Sequence, residues 1–291
     1  MTRCSPEALG ERSGNPDGLS ADSFNRLASF ITSELGIKMP ESKISMVQSR
    51  LLRRVRELRL ESLDEYADHF FASPSTEERE HLINAITTNK TDFFREPEHF
   101  TYLSELVLPA LNRDQSRRGE RFKAWSAGCS SGEEPYTLAM VLAEYASREP
   151  GFDFAILATD VSTKVLNFAR SGIYSQSEIE AVPPELRRKF LLYSRNRGEP
   201  LVRVASELRS KVSFHQLNFV DEIYAIKDTF DAVFFRNVMI YFDRSTQQAV
   251  VNKICRNLAP GGYLFAGHSE SLAGLHLPVK PVKASIYRKL T

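Results

Sequence analysis

A change of rhythm near residue 122 is the feature that most limits what this chain can fold into. From Ala21 to about Leu111 apolar residues return every three or four positions, as at Phe24, Leu27, Ile31 and Leu35, with Gly36 as a C-cap. That period belongs to amphipathic helices and predicts a small all-α domain of about four of them. From Phe122 onward, short β-like runs alternate with helical stretches. The runs are KAWSAG, FAILATD, VSFHQLN, DAVFFRN, YLFAGH and ASIYRKL, and the helical stretches cover Tyr136–Tyr145, Lys164–Arg170 and Gln247–Asn257. Strands separated by helices need crossover connections, so the pattern predicts an α/β domain with a doubly wound, mostly parallel sheet. One stretch breaks the alternation. FLLYS and PLVRVA flank Arg195-Asn196-Arg197-Gly198-Glu199, which predicts an antiparallel β-subdomain inserted at about 187–213.

The expected organisation is a disordered leader over 1–20, helices over 21–90, a linker with a connecting helix over 91–121, and the α/β domain over 122–291. The leader is rich in Gly, Pro, Ser and charge and lacks the apolar centre of a signal peptide. No run approaches the ~18 consecutive apolar residues that a spanning helix needs, so no membrane insertion is expected. The 38 Lys and Arg against 37 Asp and Glu give a formal charge of +1, which argues against a whole-protein polybasic binder of nucleic acid. Cys4, Cys129 and Cys255 are odd in number, widely spaced and without CxxC or adjacent His, so neither a disulfide framework nor a metal site is expected. A reducing cytoplasm fits this usage. Monomer is expected from the lack of an obvious exposed apolar stripe.

The richest segment runs from Ala124 through Trp125, Gly128, Cys129 and Gly132 to Glu133, Glu134, Pro135 and Tyr136. It follows the first strand and opens a helix, where glycines admit close backbone approach. It lacks the G-x-G-x-x-G spacing, and adjacent acids would repel a pyrophosphate. A cationic, phosphate-free ligand such as S-adenosylmethionine suits it better; the alternative is an ordinary helix start whose acids complement the dipole. Asp160 closes the second strand and could accept from ribose hydroxyls or cap the next helix, a role Ser162 also fits. Asn218 could meet an adenine or close a turn. Arg236 and Asn237 end an apolar strand, where polar groups need partners and mark a cleft. The Pro-Pro turn of many base- and amide-methylating enzymes is missing after Asn237. Upstream, the polar segment Thr87–Phe100 could supply Asn89, Thr91 and Arg95 to a ligand, with Pro97 at the first position of the following helix.

Charge is unevenly spread. Between Glu41 and Glu61 stand six bases against three acids. On a helix, Ile44, Val47, Leu51, Val55 and Leu58 form an apolar stripe while Lys43, Arg50, Arg53 and Arg54 share a flank. Solvation, an acidic protein surface and phosphates are all open readings of that flank, and the +1 total favours the protein over the nucleic acid.

These blocks, TTNKTDFFRE, WSAGCSSGEEPYT, ATDVS with ARSGIY, FDAVFFRNVMIYFD and GGYLFAGHSES, resemble in content and order the chemotaxis receptor glutamate methyltransferases of CheR type. With the helical N-terminal part, the resemblance covers nearly everything after the leader. It implies a Rossmann-like methyltransferase domain that transfers methyl groups from S-adenosylmethionine to glutamates on cytoplasmic helices of chemoreceptors, with S-adenosylhomocysteine as product. It places Asn89, Thr91, Arg95, Glu134, Asp160, Asn218, Phe219, Arg236 and Asn237 at cofactor-contacting positions, and Arg95 and Tyr241 nearest the transferred methyl. It lays the basic helix with Lys43, Arg50, Arg53 and Arg54 along the receptor and matches the hairpin to a subdomain that in some members holds a receptor C-terminal peptide. Cys129 and Phe219 depart mildly from the family pattern.

Overall fold

The computed structural model describes residues 18–73, 75–113, 119–196, 198 and 200–290. The expected leader lies almost wholly outside them, as do Arg197 and Glu199 of the expected hairpin turn. The chain forms two compact units: one holds the described residues up to Ser33 together with Met39–Ile86, and the other holds Glu34–Lys38 with everything from Thr87 onward.

In the helical unit, α1 (Ala21–Leu35), α2 (Ile44–Leu58), α3 (Leu63–Ala72) and α4 (Thr76–Ile86) bury Phe24, Leu27, Ile31, Val47, Leu51, Val55, Tyr66, Phe70 and Leu82. Ser62 caps α3 by accepting from the Glu65 amide, and α2 stops where Arg59 turns left-handed. Polar contacts inside this unit change the expectation for the basic flank. Arg54 is largely covered and pairs through Nη2 with the buried Glu78 carboxylate at 2.5 Å, to which the Tyr66 hydroxyl also donates at 2.9 Å. Arg50 donates to the carbonyl of Ile86 at the end of α4 at 2.5 Å. Both guanidinium groups act as internal braces: a buried carboxylate and the orphan carbonyls of a helix end demand donors, and these two groups supply them. Arg53 points outward, bonded at 2.8 Å to the exposed Glu57 of its own helix.

The second unit continues through α5 (Pro97–Tyr102), a π-helical turn at Leu103–Val107 and α6 (Leu108–Arg113) into the sheet. Its elements are β1 (Phe122–Ala127), α7 (Glu133–Ala146), β2 (Phe154–Asp160), α8 (Thr163–Ser171), β3 (Ile173–Ser175), α9 (Pro184–Phe190), β4 (Leu191–Tyr193), β5 (Leu201–Val204), α10 (Ser206–Arg209), β6 (Val212–Gln216), β7 (Phe230–Phe235), α11 (Arg244–Asn257), β8 (Leu258–Ala266), β9 (Val279–Lys283) and β10 (Ile286–Lys289). The main sheet has the order β6-β2-β1-β7-β8-β10-β9, parallel except where β10 pairs with β8 and β9. Every residue of β7 is buried, as a central strand covered on both faces requires. Two apolar clusters fill those faces, one around Phe122, Tyr136, Ile156 and Phe234 and the other around Trp125, Val233, Phe235 and Val251.

Two strands escape the sequence pattern. β9 contains Pro281, which removes a ladder donor and is tolerated because β9 is an edge strand. β3, three residues long, pairs antiparallel with β5, so the insert is a three-stranded sheet of order β3-β5-β4 rather than a lone hairpin. From β1 the chain winds outward through β2 to β6 and then crosses to β7 on the other side. The order reverses between β1 and β7, and the crevice at the carboxyl ends of a doubly wound sheet opens at such a switch point.

Candidate functional site

Four backbone elements converge at those strand ends, and left-handed residues concentrate there. Phe94, Glu96, Ser130 and Asn237 all have positive φ, between 47° and 59°, although none is glycine. Such conformations cost on the order of 1 kcal/mol or more each and persist only where the surroundings dictate them. Phe94 and Glu96 flank Arg95, Ser130 lies in the Gly-rich turn, and Asn237 follows β7.

The Gly-rich turn after β1 spends most of its donors on the end of β2. The amides of Gly128 and Cys129 donate to the Thr159 carbonyl, Gly132 to the Cys129 carbonyl, and Ser130 to Asp160 Oδ2 at 2.9 Å. A phosphate cradle needs those amides free, so this turn is not one. Its glycines serve packing: a Cβ on Gly128 would lie 2.5 Å from Val238 Cγ2, and one on Gly132 would lie 2.7 Å from the Tyr174 hydroxyl.

Asp160 also accepts from the Ser162 amide at 3.0 Å, while the Ser162 hydroxyl caps α8 by accepting from Val165. The two alternatives thus separate, with Ser162 the cap and Asp160 bridging two turns. Burial pushes the Asp160 carboxyl above its usual range, partly offset by those amides. Glu133, at the first position of α7, is buried with the Ser131 hydroxyl on its carboxylate, at 2.7 and 3.0 Å, and burial raises it to about 7. Two buried acids thus stand beside the turn with no cation bonded to either carboxylate among the described residues. A phosphate would be repelled there; a ligand bearing positive charge relieves them.

Glu134 and Arg236 are bonded to each other. Glu134 Oε1 accepts from the Ser126 hydroxyl and Oε2 from Arg236 Nε, both at 2.6 Å, so its charge is already neutralised inside the protein. Arg236 further donates through Nη1 to the Arg95 carbonyl at 2.7 Å and lies over the Phe100 ring. The pair therefore joins β1, α7, β7 and the upstream linker. His99 completes the network. The Ser285 hydroxyl donates to the Ala284 carbonyl and so must accept from His99 Nε2, which leaves Nδ1 as an acceptor facing Arg236 Nη1 at 3.3 Å. Burial, with the nearby Arg236, His268 and Lys283, holds this imidazole down at about 3. Glu96, His99 and His268 bring ligand-type atoms within 4.8 Å of one another, but Arg236 Nη1 sits 3.3 Å from both Glu96 Oε2 and His99 Nδ1, so a cation already occupies that corner.

The other expected residues fall close by. The Asn89 carbonyl accepts from the Ser130 hydroxyl at 2.8 Å, tying the linker to the turn, with Thr91 half-buried two residues on. Arg95 Nη1 donates to the Lys90 carbonyl at 3.3 Å, curling the segment on itself. Asn218 Nδ2 donates to the Glu34 carbonyl at 2.6 Å and Oδ1 accepts from Val220, so here Asn218 closes a turn and anchors residues 34–38. The Phe219 ring is buried against Tyr224 and Phe235. Tyr241 lies in a 3-10 turn, Met239–Tyr241, and its carbonyl accepts from the Lys38 amide at 2.9 Å. Sequence reasoning did not anticipate the part played by residues 34–38, whose strand-like bridge Ile37 to Phe242 brings them against this turn. The signal was present in Gly36: its φ is +68°, and a Cβ would lie 2.7 Å from Val220.

Comparison with known proteins now adds to this geometry. A family model described as the CheR methyltransferase SAM-binding domain matches residues 89–288, and one described as the CheR methyltransferase all-alpha domain matches residues 22–87. The chain belongs to the CheR methyltransferase family. Similar curated proteins include the chemotaxis protein methyltransferases of Salmonella typhimurium, 40% identical over 88% of this chain and 86% of that protein, and of Escherichia coli, 39% identical over 88% and 87%. A more distant relative, from Borreliella burgdorferi, is 38% identical over 88% of this chain and 90% of its own. Among solved structures, the N-methyltransferase NodS from Bradyrhizobium japonicum with S-adenosyl-L-homocysteine is 16% identical, covers 59% of this chain and 60% of its own, and has a TM-score of 0.33. As a CheR family member the chain is an S-adenosylmethionine-dependent methyltransferase, and the cofactor's ammonium and sulfonium suit the uncompensated acids Glu133 and Asp160.

Proposed function

We propose that this chain methylates glutamate side chains on the cytoplasmic helices of bacterial chemoreceptors, giving glutamate methyl esters. The observation that carries the reading is a pair of buried acids with no cationic partner among the described residues, beside a Gly-rich turn whose amides at 128, 129, 130 and 132 are taken, in a chain of the CheR family. S-adenosylmethionine supplies a sulfonium-activated methyl group.

The protein's share is binding, orientation and exclusion of water. Asp160 and Glu133 supply negative charge, and Asn89, Thr91, Asn218, Phe219 and Asn237 line the same strand ends and hold the cofactor. Glu134 and Arg236 act through the linker, since Arg236 fixes the Arg95 carbonyl. Arg95 pairs with the cofactor carboxylate, and Tyr241 donates to the substrate carboxyl. Glutamate has a reference pKa of about 4.3 and is over ~99% ionised at neutral pH, so the nucleophile needs no general base. Alignment of a charged oxygen with the methyl, worth roughly 7–11 kcal/mol in favourable cases, carries the rate.

The helical unit meets the receptor through the outward basic face of α2, and the exposed edge strand β4, with Leu192 and Tyr193 outward, offers pairing to a receptor C-terminal peptide. The enzyme works in the cytoplasm as a monomer without entering the membrane or binding nucleic acid. Incubation with methyl-labelled cofactor and receptor-bearing membranes is expected to put base-labile label on the receptor, and Arg95→Ala to lower it at least about tenfold. Label on RNA or DNA, or none on the receptor, would overturn the reading.

A further inference from the structure

β7 and β8 run parallel with Phe235 opposite Ala266, so the turns that follow them leave the sheet side by side. The first turn carries Asn237 in its left-handed conformation and then the 3-10 turn bearing Tyr241. The second, Gly267-His268-Ser269-Glu270, returns a carboxylate to the base of the first. Glu270 is only 6% exposed, and its Oε2 accepts from the amides of both Asn237 and Gly267 at 2.8 Å. Its other oxygen, Oε1, is buried with no hydrogen-bond partner among the described residues. No cationic side chain is bonded to it among the described residues, so its charge is balanced by oriented backbone N–H groups, as in an anion-binding nest. Gly267 is required by the same closeness: a Cβ there would lie 2.7 Å from Asn237 Nδ2 and 2.9 Å from Glu270 Oε2.

We propose that Glu270 is a positioning residue whose Oε2 gathers the amides of Asn237 and Gly267 and so sets Asn237, and the turn that leads on to Tyr241, at the carboxyl ends of the strands. The inference rests on the reading of Tyr241 and Asn237 given above. Its physical basis is that a non-glycine residue with positive φ reverts unless held, and the 3-10 turn has three residues and no side-chain cap of its own. Oε2 accepts from both amides at once, and a Gln side chain can keep that acceptor by placing its oxygen there, whereas Leu cannot.

The test sets Glu270→Leu, which removes the acceptor, beside Glu270→Gln, which can keep it, and Gly267→Ala, which pushes on the same turn while leaving the carboxylate in place. Hydrogen exchange at Asn237, affinity for S-adenosylhomocysteine, and kcat and KM on receptor membranes are measured per folded molecule. In E270L, exchange at the Asn237 amide is expected to speed at least about tenfold while β1 and β7 stay protected. Product affinity weakens severalfold and kcat falls about tenfold to hundredfold, the range a small misplacement costs, with KM for receptor little changed, and E270Q recovers most of both. G267A is expected to lower kcat in the same way, and it stands in if E270L does not fold. Unchanged exchange at Asn237 in E270L, or kcat and product affinity both equal to wild type, overturns the proposal. A wild type that binds no product and labels no receptor would instead refute the functional reading, and the exchange measurement still decides whether Glu270 holds the turn.

Discussion

Glu133 illustrates how one side chain can carry a functional cost. Its carboxyl is buried at the start of α7 with the Ser131 hydroxyl bonded to it, and burial raises it from 4.5 to about 7. The folded state therefore binds the proton more tightly than the unfolded chain. Its contribution to stability is fully present below about 4.5 and is lost as the pH rises through 7. Glu133→Gln keeps the shape and the contact with Ser131 and removes the charge. The cofactor-free variant is expected to match wild type near pH 4.5 and to exceed it at pH 8 by on the order of 2 kcal/mol, read from urea unfolding at the two pH values. The same acid that weakens the empty protein at pH 8 is available to a cationic cofactor, so E133Q should gain less stability than wild type on adding saturating cofactor. Asp160 is buried like Glu133, but the amides of Ser130 and Ser162 already bind it, which makes its orientation fixed and its charge less costly.

At the scale of elements, the Glu134–Arg236 pair is the clamp. It fastens β1 through Ser126, α7 through Glu134, β7 through Arg236 and the linker through the Arg95 carbonyl. Removing one member of a buried pair strands the other charge, which typically costs 3–5 kcal/mol, whereas removing both costs less. Arg236→Met is expected to lose about that much in denaturant unfolding, and Arg236→Met with Glu134→Gln to recover a large part of it. Cofactor contacts alone would not produce recovery in the empty protein. The clamp also shows what a sequence reveals. Arg236 and Asn237 at the end of the apolar run 230–235 were legible as cleft residues, because polar groups there need partners. Which partners they take was not, since Glu134 and Arg236 are 102 residues apart and the preference for each other over a ligand depends on sheet order. The alternation from Phe122 predicted the parallel core strands, whereas β9 was hidden by Pro281 and β3 by its three-residue length. Periodicity reports which face is buried; it says little about short edge strands held by one neighbour.

Across the whole molecule, a formal charge of +1 conceals two opposite demands. The α/β unit buries two acids with no cationic partner among the described residues, and the helical unit carries the bases of α2 and the turn after it. Those bases divide by role. Arg54 and Arg50 are internal, bound to Glu78 and to the end of α4. Arg53, Arg56 and Arg59 are exposed, and the side chains of Arg56 and Arg59 have no partner among the described residues. An acidic receptor surface would meet the second group, while the first keeps the helices together. Arg54→Ala should therefore lower stability by roughly 3 kcal/mol or more, because Glu78 is left buried with only the Tyr66 hydroxyl. Arg56→Glu with Arg59→Glu should leave stability within about 0.5 kcal/mol, since exposed charges away from buried partners contribute little. The same double variant is expected to lower kcat/KM on receptor membranes about tenfold at low salt, with cofactor affinity unchanged. Raising the ionic strength to about 0.5 M should close most of that gap, because the Debye length falls to a few ångströms and exposed attractions are screened. A loss of receptor methylation that salt did not narrow would mean that shape, rather than charge, carries recognition by this helix. Equal kcat/KM at low salt would take the receptor off this face altogether.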